Sequence, residues 1–410
     1  MSNPQPATRN LQSAIYWPVV LLLIVQLLGG IVLAPQRSFF PIYVEEQLGY
    51  TAVFISAFVA IGQLMGMIAS VVGGALCDAL GRKWTLVLGL TGLAFGSLTY
   101  LVRAPWLVTL FWAISGLGLG FHTLGGQSYL IDAAGSERLG VLSALYHWGF
   151  TIGGALSNPG AGIILDSRGF GTFGLALLAV SLATTLGAMA FLPRLDSVKE
   201  TGFLGKNLVS TLSKSLFGYR DVLRRPAVVV LGLLRFLPTC YWGMTTILIP
   251  LLINRMAGSK TAVALYATIS SGLASLAQML VGRAADRWGR RWPTLVAFGT
   301  LIVSAVGLAS FATHLWSFYT FGVLGACAAW SLSTLMPCLV SDATPVEERG
   351  RVLGVLHLLW NVGMMAGSLI GGALVGVAVG LPFFVAALLN LGAIVLAVSF
   401  FRLVALQVSR

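Results

Sequence analysis

Charged residues are scarce in this chain, and acidic residues are the scarcest. The 410 residues include 25 Lys and Arg but only 13 Asp and Glu, and charged residues make up 9% of the total, whereas soluble domains carry about 25%. The mean hydropathy is +0.90. This composition excludes a protein whose surface is mostly in contact with water.

Cysteine is also rare. Cys77, Cys240, Cys327 and Cys338 lie in or at the ends of apolar stretches and lack the spacing of a metal site, so they predict neither a disulfide framework nor a bound metal. The sequence contains no H-E-x-x-H motif and no paired acids within an apolar stretch. We therefore expect no catalytic residues, no cofactor and no enzymatic activity.

Long uncharged runs recur along the chain, and the clearest extends from Val352 to Phe401. As a helix it would be roughly 75 Å long, against a hydrocarbon core of about 30 Å, so it must cross a bilayer twice. Gly376 to Pro382 is the natural turn. Runs of this length in lipid have to be helices, because a strand edge or loop would leave backbone groups unpaired.

The uncharged runs predict an all-α membrane protein with twelve transmembrane helices in two six-helix bundles. The predicted spans lie near 14–37, 52–76, 84–102, 105–131, 140–165, 170–192, 226–253, 261–282, 292–313, 316–341, 352–376 and 381–401. Residues 1–192 and 226–410 form the predicted bundles, and 193–225 is the loop between them.

The formal net charge of +12 reflects the location of the basic residues. If the N-terminus is cytoplasmic, most Lys and Arg residues fall in cytoplasmic loops and tails. The exceptions are Arg37, Arg103, Arg168, Arg255 and Lys260 outside and Arg235 within a span. This bias follows the positive-inside rule and predicts an inner-membrane protein with both termini cytoplasmic. Nucleic-acid binding is not needed to explain the charge.

The central loop contains leucines at every fourth position, beside Lys206 and Lys214. The leucines are Leu204, Leu208, Leu212 and Leu216. This spacing predicts a basic amphipathic helix on the inner leaflet. A partly disordered linker is the alternative.

An internal repeat is the strongest pattern in the sequence. Gly74, Asp78, Gly81, Arg82 and Lys83 match G-x-x-x-D-x-x-G-R-(K/R). A second copy follows at Gly282, Asp286, Gly289, Arg290 and Arg291, and the two acids are 286 − 78 = 208 residues apart. Each copy follows the second helix of its half.

A second pair of sites repeats at nearly the same offset. Asp132 ends the fourth span and is followed by Arg138, while Asp342 ends the tenth and is followed by Arg349. The two acids are 342 − 132 = 210 residues apart. One offset explains both pairs, which predicts a parallel duplication about an axis normal to the membrane.

With these motifs, the chain resembles the major facilitator superfamily, whose signature is this loop between helices two and three. The resemblance covers the whole chain and implies a cytoplasmic gate. Asp78 would face the N-terminal end of helix eleven, and Arg82 would reach Asp132. Asp286, Arg290 and Asp342 would repeat this arrangement against helix five, with Arg138 and Arg349 joining the cluster. Simple anchoring of the loops is the alternative.

Ionisable residues deep in the spans indicate a central binding site, and no acid is among them. Arg235 lies nine residues after Pro226, or about 13 Å deep by helical rise. His122, His147 and His357 are candidates for proton coupling, although such histidines also serve as hydrogen-bonded packing residues. Arg37 is interpreted as an interfacial anchor.

Aromatic and amide side chains complete the predicted binding site. Besides His122 and Arg235, the candidates are Gln26, Trp112, Tyr241, Trp242, Trp330, Trp360 and Asn361. Glycines spaced for close helix approach are Gly62, Gly66, Gly149, Gly153, Gly363, Gly367 and Gly371, and packing alone also explains them.

Two patterns of the superfamily's drug antiporters are missing. No Arg precedes the glycine-rich stretch from Ser115 to Gly120, and Asn158-Pro159-Gly160 matches their Gly-Pro motif imperfectly. The leading hypothesis is therefore a monomeric secondary transporter of a small neutral or anionic organic solute, with protons as a candidate coupling ion. A broad-specificity efflux pump and a non-transporting sensor are the alternatives.

Overall fold

A computed structural model describes residues 6–134, 139–195, 224–345 and 349–408, and these residues are almost entirely helical. The first four helices are α1 (Pro6–Leu48), α2 (Ala52–Leu80), α3 (Arg82–Leu98) and α4 (Pro105–Ala134). Those after the central connection are α7 (Pro226–Ala257), α8 (Lys260–Trp288), α9 (Arg291–Phe311), α10 (Leu315–Ala343), α11 (Arg349–Val375) and α12 (Leu381–Val408). Within α10, Phe318–Gly322 forms a π-helical turn.

The helical element Leu139–Phe191 is broken at Gly169, where φ is 73°. Its two limbs are α5 (139–168) and α6 (170–191). The start of α5 and the end of α6 lie at the same face. The start of α5 lies beside the end of α4, because a Cβ on Gly126 would touch Tyr146. The end of α6 lies beside the start of α3, because Lys83 Nζ donates to the carbonyl of Met189. Eleven described helices are long and apolar enough to span a membrane. Since one of them folds back on itself, the prediction of twelve crossings is confirmed.

Helix α1 is longer than predicted. The sequence indicated an end at residue 37, but α1 continues to Leu48 with Pro35 and Pro41 inside it. Proline removes a backbone donor and normally breaks a helix, but transmembrane helices tolerate it because neighbouring groups satisfy the freed carbonyls. Arg37 therefore lies within the helix rather than at its end.

The same helix pairing occurs in both halves of the chain. Helix α1 packs on α5 where a Cβ on Gly153 would overlap the backbone of Leu27, and α7 packs on α11 where one on Gly367 would overlap Cys240. Glycine allows this approach because it has no side chain. The duplication seen in the sequence is thus also present in the packing.

The two halves meet along α2 against α11 and α5 against α8. Gly372 lies against Ser56 near one membrane face, and Asn361 approaches Gly66 deeper in the bilayer. On the other side of the interface, Ser275 donates to Thr151 at 3.0 Å. We call the face containing Gly81 and Gly289 the motif face, and the other the opposite face.

The predicted domain boundaries stay predictions. Most of the 193–225 connection, including the leucine repeat from Leu204 to Leu216, lies outside the described residues.

Candidate functional site

The two copies of the loop motif form the same tight turn. Gly81 between α2 and α3 has φ 84°, and Gly289 between α8 and α9 has φ 77°. A residue with a Cβ rarely adopts this backbone conformation, so glycine is required at both positions. Gly74 and Gly282 lie one helical turn or more before these glycines, and a Cβ at either would meet no atom within 4 Å.

The arginine after each of these glycines reaches the acid at the end of the fourth or tenth helix. Arg82 Nε lies 2.9 Å from Asp132 Oδ2. Arg290 forms an ion pair with Asp342 and also donates to the Cys338 carbonyl at 2.7 Å. The hydrogen bond to Asp342 raises the pKa of Arg290 above its usual value, against the opposing effect of burial. These contacts are the ones predicted from the sequence.

Each of these ion pairs joins helices of the same half, whereas a gate has to join the two halves. The ion pairs hold each motif loop against the six-helix bundle to which it belongs. The contacts between the halves that the resemblance implies at the motif face are those of Asp78 and Asp286. The Asp286 side chain is exposed, and Arg349 donates to the Ser341 carbonyl at 3.0 Å. The Asp78 side chain and Arg138 lie outside what the structure describes, so the gate stays a prediction.

Charged contacts between the halves are present on the opposite face. Arg255 Nε donates to Glu45 Oε1 at 2.8 Å, Asn254 donates to Glu46 Oε1 at 2.9 Å, and Lys260 Nζ also lies 2.9 Å from Glu46. These contacts join the end of α1 to the end of α7 and the start of α8. Together with the Asp166 contacts described next, we call them the clasp.

Asp166 of α5 caps the start of α8 in the other half. Its carboxylate accepts hydrogen bonds from the backbone N–H groups of Lys260 at 2.8 Å and Thr261 at 2.9 Å, and from the Ser259 hydroxyl at 2.8 Å. A carboxylate at a helix N-terminus satisfies free donors and interacts favourably with the helix dipole. The clasp must therefore break if the halves separate at this face.

The clasp was missed in the sequence analysis, although a signal was present. Glu45, Glu46 and Asp166 are among the few acids of the chain, and Arg255 and Lys260 were both assigned to outside loops. Opposite charges on the same predicted side could have indicated pairing. Which of these residues meet does not follow from the sequence, because the partners lie about 90 to 210 positions apart.

A small cavity lies between the halves, with walls from α1, α2, α4, α7 and α11. It measures about 60 Å³, which is room for about two water molecules. Polar lining side chains are Arg37, Gln63, Trp112, Ser115 and Thr246. No lining residue in the described part of the chain is acidic.

Arg37 is the charged group of this cavity, and the sequence analysis did not assign it to the site. It lies eleven residues before the end of α1, or about 16 Å from that end by helical rise. A guanidinium at this depth is desolvated and attracts an anion or a strong hydrogen-bond acceptor. The signal in the sequence was Arg37 itself, which was assigned to the interface because the helix was expected to end there.

The predicted residue Trp112 lines the cavity beside Arg37. Its ring stacks on Phe40 with centroids 3.5 Å apart and planes 5° apart. A Cβ on Gly62 would collide with the indole, so this glycine leaves room for the ring. Arg37, Gln63 and Trp112 thus present a cation, an amide and an aromatic surface together.

A second group of predicted residues lies around Arg235 in the C-terminal half. Arg235 donates to the Ser333 hydroxyl at 3.1 Å, and Ser333 was not predicted. The Trp242 and Trp330 rings are 5.7 Å apart, in an edge-to-face arrangement. This group joins α7 to α10.

Three more predicted residues lie together on α11. The rings of His357 and Trp360 stack with centroids 5.6 Å apart. Asn361 donates to the His357 carbonyl at 3.0 Å and approaches Gly66 of α2. This cluster is therefore at the boundary between the halves.

Four predicted residues pack in other places. His122 is buried against Gly29 and Gly89, and the Tyr241 hydroxyl is 2.8 Å from Ser304. Gln26 is buried near Gly149, and His147 is exposed beside Tyr146. None of these four belongs to the cavity lining in the described residues.

The fold and the cavity between paired bundles are those of a membrane transporter. A family model described as Major Facilitator Superfamily matches residues 22–257 and 231–407. The chain belongs to the major facilitator superfamily.

Its relatives include resistance proteins. The class H tetracycline resistance protein of Pasteurella multocida is 29% identical over 189 residues, which are 43% of this chain and 44% of that protein. The class G protein of Vibrio anguillarum is 31% identical over 39% of this chain and 41% of its own length. The matched part thus spans less than half of these relatives.

Solved transporter structures share the fold over nearly the whole chain. The nucleoside transporter NupG aligns with a TM-score of 0.72 and 16% identity, covering 94% of this chain and 99% of that one. A POT family transporter in complex with a thioalcohol-conjugated peptide aligns with a TM-score of 0.76 and 14% identity, covering 96% of both chains. At these identities the likeness shows the fold.

Proposed function

We propose that this protein is a secondary transporter that moves a small organic solute, neutral or anionic, across the inner membrane by alternating access. The observation that carries the proposal is Arg37, a cation that faces a cavity between the halves whose described lining contains no acid. Such a site attracts carboxylates, phosphates or polar acceptors and disfavours cations.

Alternating access is supported by where the contacts between halves lie. The clasp closes the opposite face. From there toward the motif face, the last described hydrogen bond between α5 and α8 is the one from Ser275 to Thr151. A cavity with room for about two waters does not admit an organic solute. The halves therefore have to move apart for loading.

The orientation follows from the basic residues. We place the motif face and both termini in the cytoplasm, because loops on this face carry most of the Lys and Arg residues. His122, His147 and His357 are our candidates for proton coupling, and of these His357 lies in the α11 cluster at the boundary between the halves. None of the three histidines belongs to the described lining of the cavity.

Uptake into proteoliposomes tests the anion preference. A panel of mono- and dicarboxylates, a nucleoside and an organic amine would be assayed with and without a pH gradient, for wild type, Arg37→Gln and Arg37→Lys. We expect Arg37→Gln to lower uptake of the preferred anion by about ten- to a hundredfold, as for loss of a charged hydrogen bond, and Arg37→Lys to retain more.

Arg103→Gln is the matched control, because Arg103 is exposed in the α3–α4 connection on the opposite face. Uptake of the preferred anion by the Arg103→Gln variant should equal uptake by wild type. Unchanged uptake by Arg37→Gln would remove Arg37 from the site, and a preference for the amine would contradict the proposal.

A broad-specificity efflux pump working as a proton antiporter is the alternative, and the tetracycline resistance relatives favour it. The stacked Phe40 and Trp112 rings could accept flat aromatic compounds. Resistance profiling of a strain that lacks or overproduces the protein separates the two functions. A sensor would instead bind a ligand without flux.

A further inference from the structure

Two basic side chains contact one indole ring at the motif face. Lys83 Nζ lies 5.5 Å from the centre of the Trp84 ring, and the guanidinium carbon of Arg194 lies 5.6 Å from it. Both distances are within the range of cation–π contacts. Lys83 belongs to the first turn of α3, and Arg194 follows the end of α6, so the arrangement joins two helices.

The two cations have no acidic partner in the described ranges. Lys83 Nζ donates to the Met189 carbonyl at 2.8 Å, and Lys83 is in none of the ion pairs between described residues. Arg194 is exposed and contacts Trp84. Like charges held near one ring repel each other, and an anion between them relieves that repulsion.

Exposed apolar side chains continue from this pair toward the middle of the bilayer. Leu88, one turn after Trp84 on the same face of α3, is 42% exposed. On α6, Leu186 is 63% and Met189 is 41% exposed. The α3–α6 surface is therefore basic at the membrane boundary and apolar below it.

We propose that this surface binds an anionic phospholipid. The phosphate lies between Lys83 Nζ and the Arg194 guanidinium at the level of the Trp84 ring, and the acyl chains lie along Leu88, Leu186 and Met189. Indoles and basic side chains are suited to the headgroup level, whereas leucine and methionine are suited to the chains. A free phosphate would use the two cations but not the apolar surface.

Native mass spectrometry of the full chain in detergent tests the site. The protein would be titrated with phosphatidylglycerol and with phosphatidylcholine of the same chain length. We expect tighter binding of phosphatidylglycerol. Lys83→Gln with Arg194→Gln should weaken it by about ten- to thirtyfold, since each basic residue near a membrane surface contributes roughly 1 kcal/mol.

Two further variants separate this site from general charge effects. Arg287→Gln with Arg402→Gln removes the same charge from exposed positions on the motif face and should bind phosphatidylglycerol like wild type. Exchanging the two cations, Lys83→Arg with Arg194→Lys, should retain binding and show that substitution here is compatible with folding.

The proposal fails if the variant with Lys83→Gln and Arg194→Gln binds phosphatidylglycerol as tightly as wild type does, or if wild type binds the two lipids equally. Competition by inorganic phosphate distinguishes the source of the anion. If phosphate displaces phosphatidylglycerol at equal concentration, the site is one for a free anion and the lipid assignment is wrong.

Discussion

Arg37 is a residue whose position depends on where one helix ends. Residues 35–41 contain two prolines and a charge, which in a soluble protein would indicate the end of a helix. Here the helix continues to Leu48. Trp112, a predicted site residue, lines the cavity, whereas Arg37 could be assigned to the cavity only from the path of α1.

The motif glycines give a prediction at the same scale. Gly81→Ala and Gly289→Ala force a Cβ into positive φ, and each should reduce the free energy of unfolding by about 1–3 kcal/mol. Thermal unfolding in detergent measures the change as a lower Tm.

Gly187→Ala is the control, because Gly187 is helical and a Cβ there would meet no atom within 4 Å. Its Tm should be equal or slightly higher, since alanine favours a helix. A Tm for Gly81→Ala equal to that of Gly187→Ala would contradict the strained turn.

At the scale of elements, the sequence predicted helices well and their contacts unevenly. The break at Gly169 falls between the spans predicted near 140–165 and 170–192, and the ion pairs of Arg82 and Arg290 were expected from the repeated motif. The clasp and the Arg235–Ser333 contact were not expected. They depend on how α5 meets α8 and α7 meets α10, which hydrophobic periodicity does not determine.

Removing the clasp should favour opening at the opposite face. Each exposed ion pair contributes up to about 1 kcal/mol, and loss of a helix cap costs about 1 kcal/mol. A variant with Glu45→Gln, Glu46→Gln and Asp166→Ala should therefore populate an open state more. Spin labels at Thr51→Cys and Thr313→Cys, exposed on the opposite face of different halves, should show a longer distance.

Arg168→Gln is the control for the clasp, since Arg168 is exposed on α5 two residues after Asp166. Its distance distribution should match wild type. An unchanged distribution in the triple variant would mean that packing of α2 on α11 and α5 on α8 keeps this face closed without the charges.

At the scale of the whole molecule, the duplication determines the architecture. Composition predicted the membrane, the uncharged runs predicted twelve crossings, and the two repeated offsets predicted matching halves. The family match confirms this reading. The substrate could not be predicted in the same way, because superfamily members share a fold while their cavities differ.

The predicted topology can be measured by cysteine labelling in a variant without Cys77, Cys240, Cys327 and Cys338. Cysteines at Thr51 and Thr313 should react with an impermeant maleimide in intact cells. Cysteines introduced in place of Arg287 and Arg402 should react only after the membrane is permeabilised, because basic loops remain cytoplasmic. Reaction of Thr51 and Arg287 from the same side would contradict the fold.

The sequence separations within the clasp have a consequence for how the protein arose. Glu46 and Asn254 are 208 residues apart, and Glu45 and Arg255 are 210 apart, which are the offsets of the duplicated motifs. The ends of α1 and α7 thus meet close to the axis that relates the halves. In an assembly of two identical copies, these neighbouring glutamates would have faced glutamates and repelled each other. Complementary charge at this point therefore requires two copies that differ in sequence here, as the halves of one fused chain can.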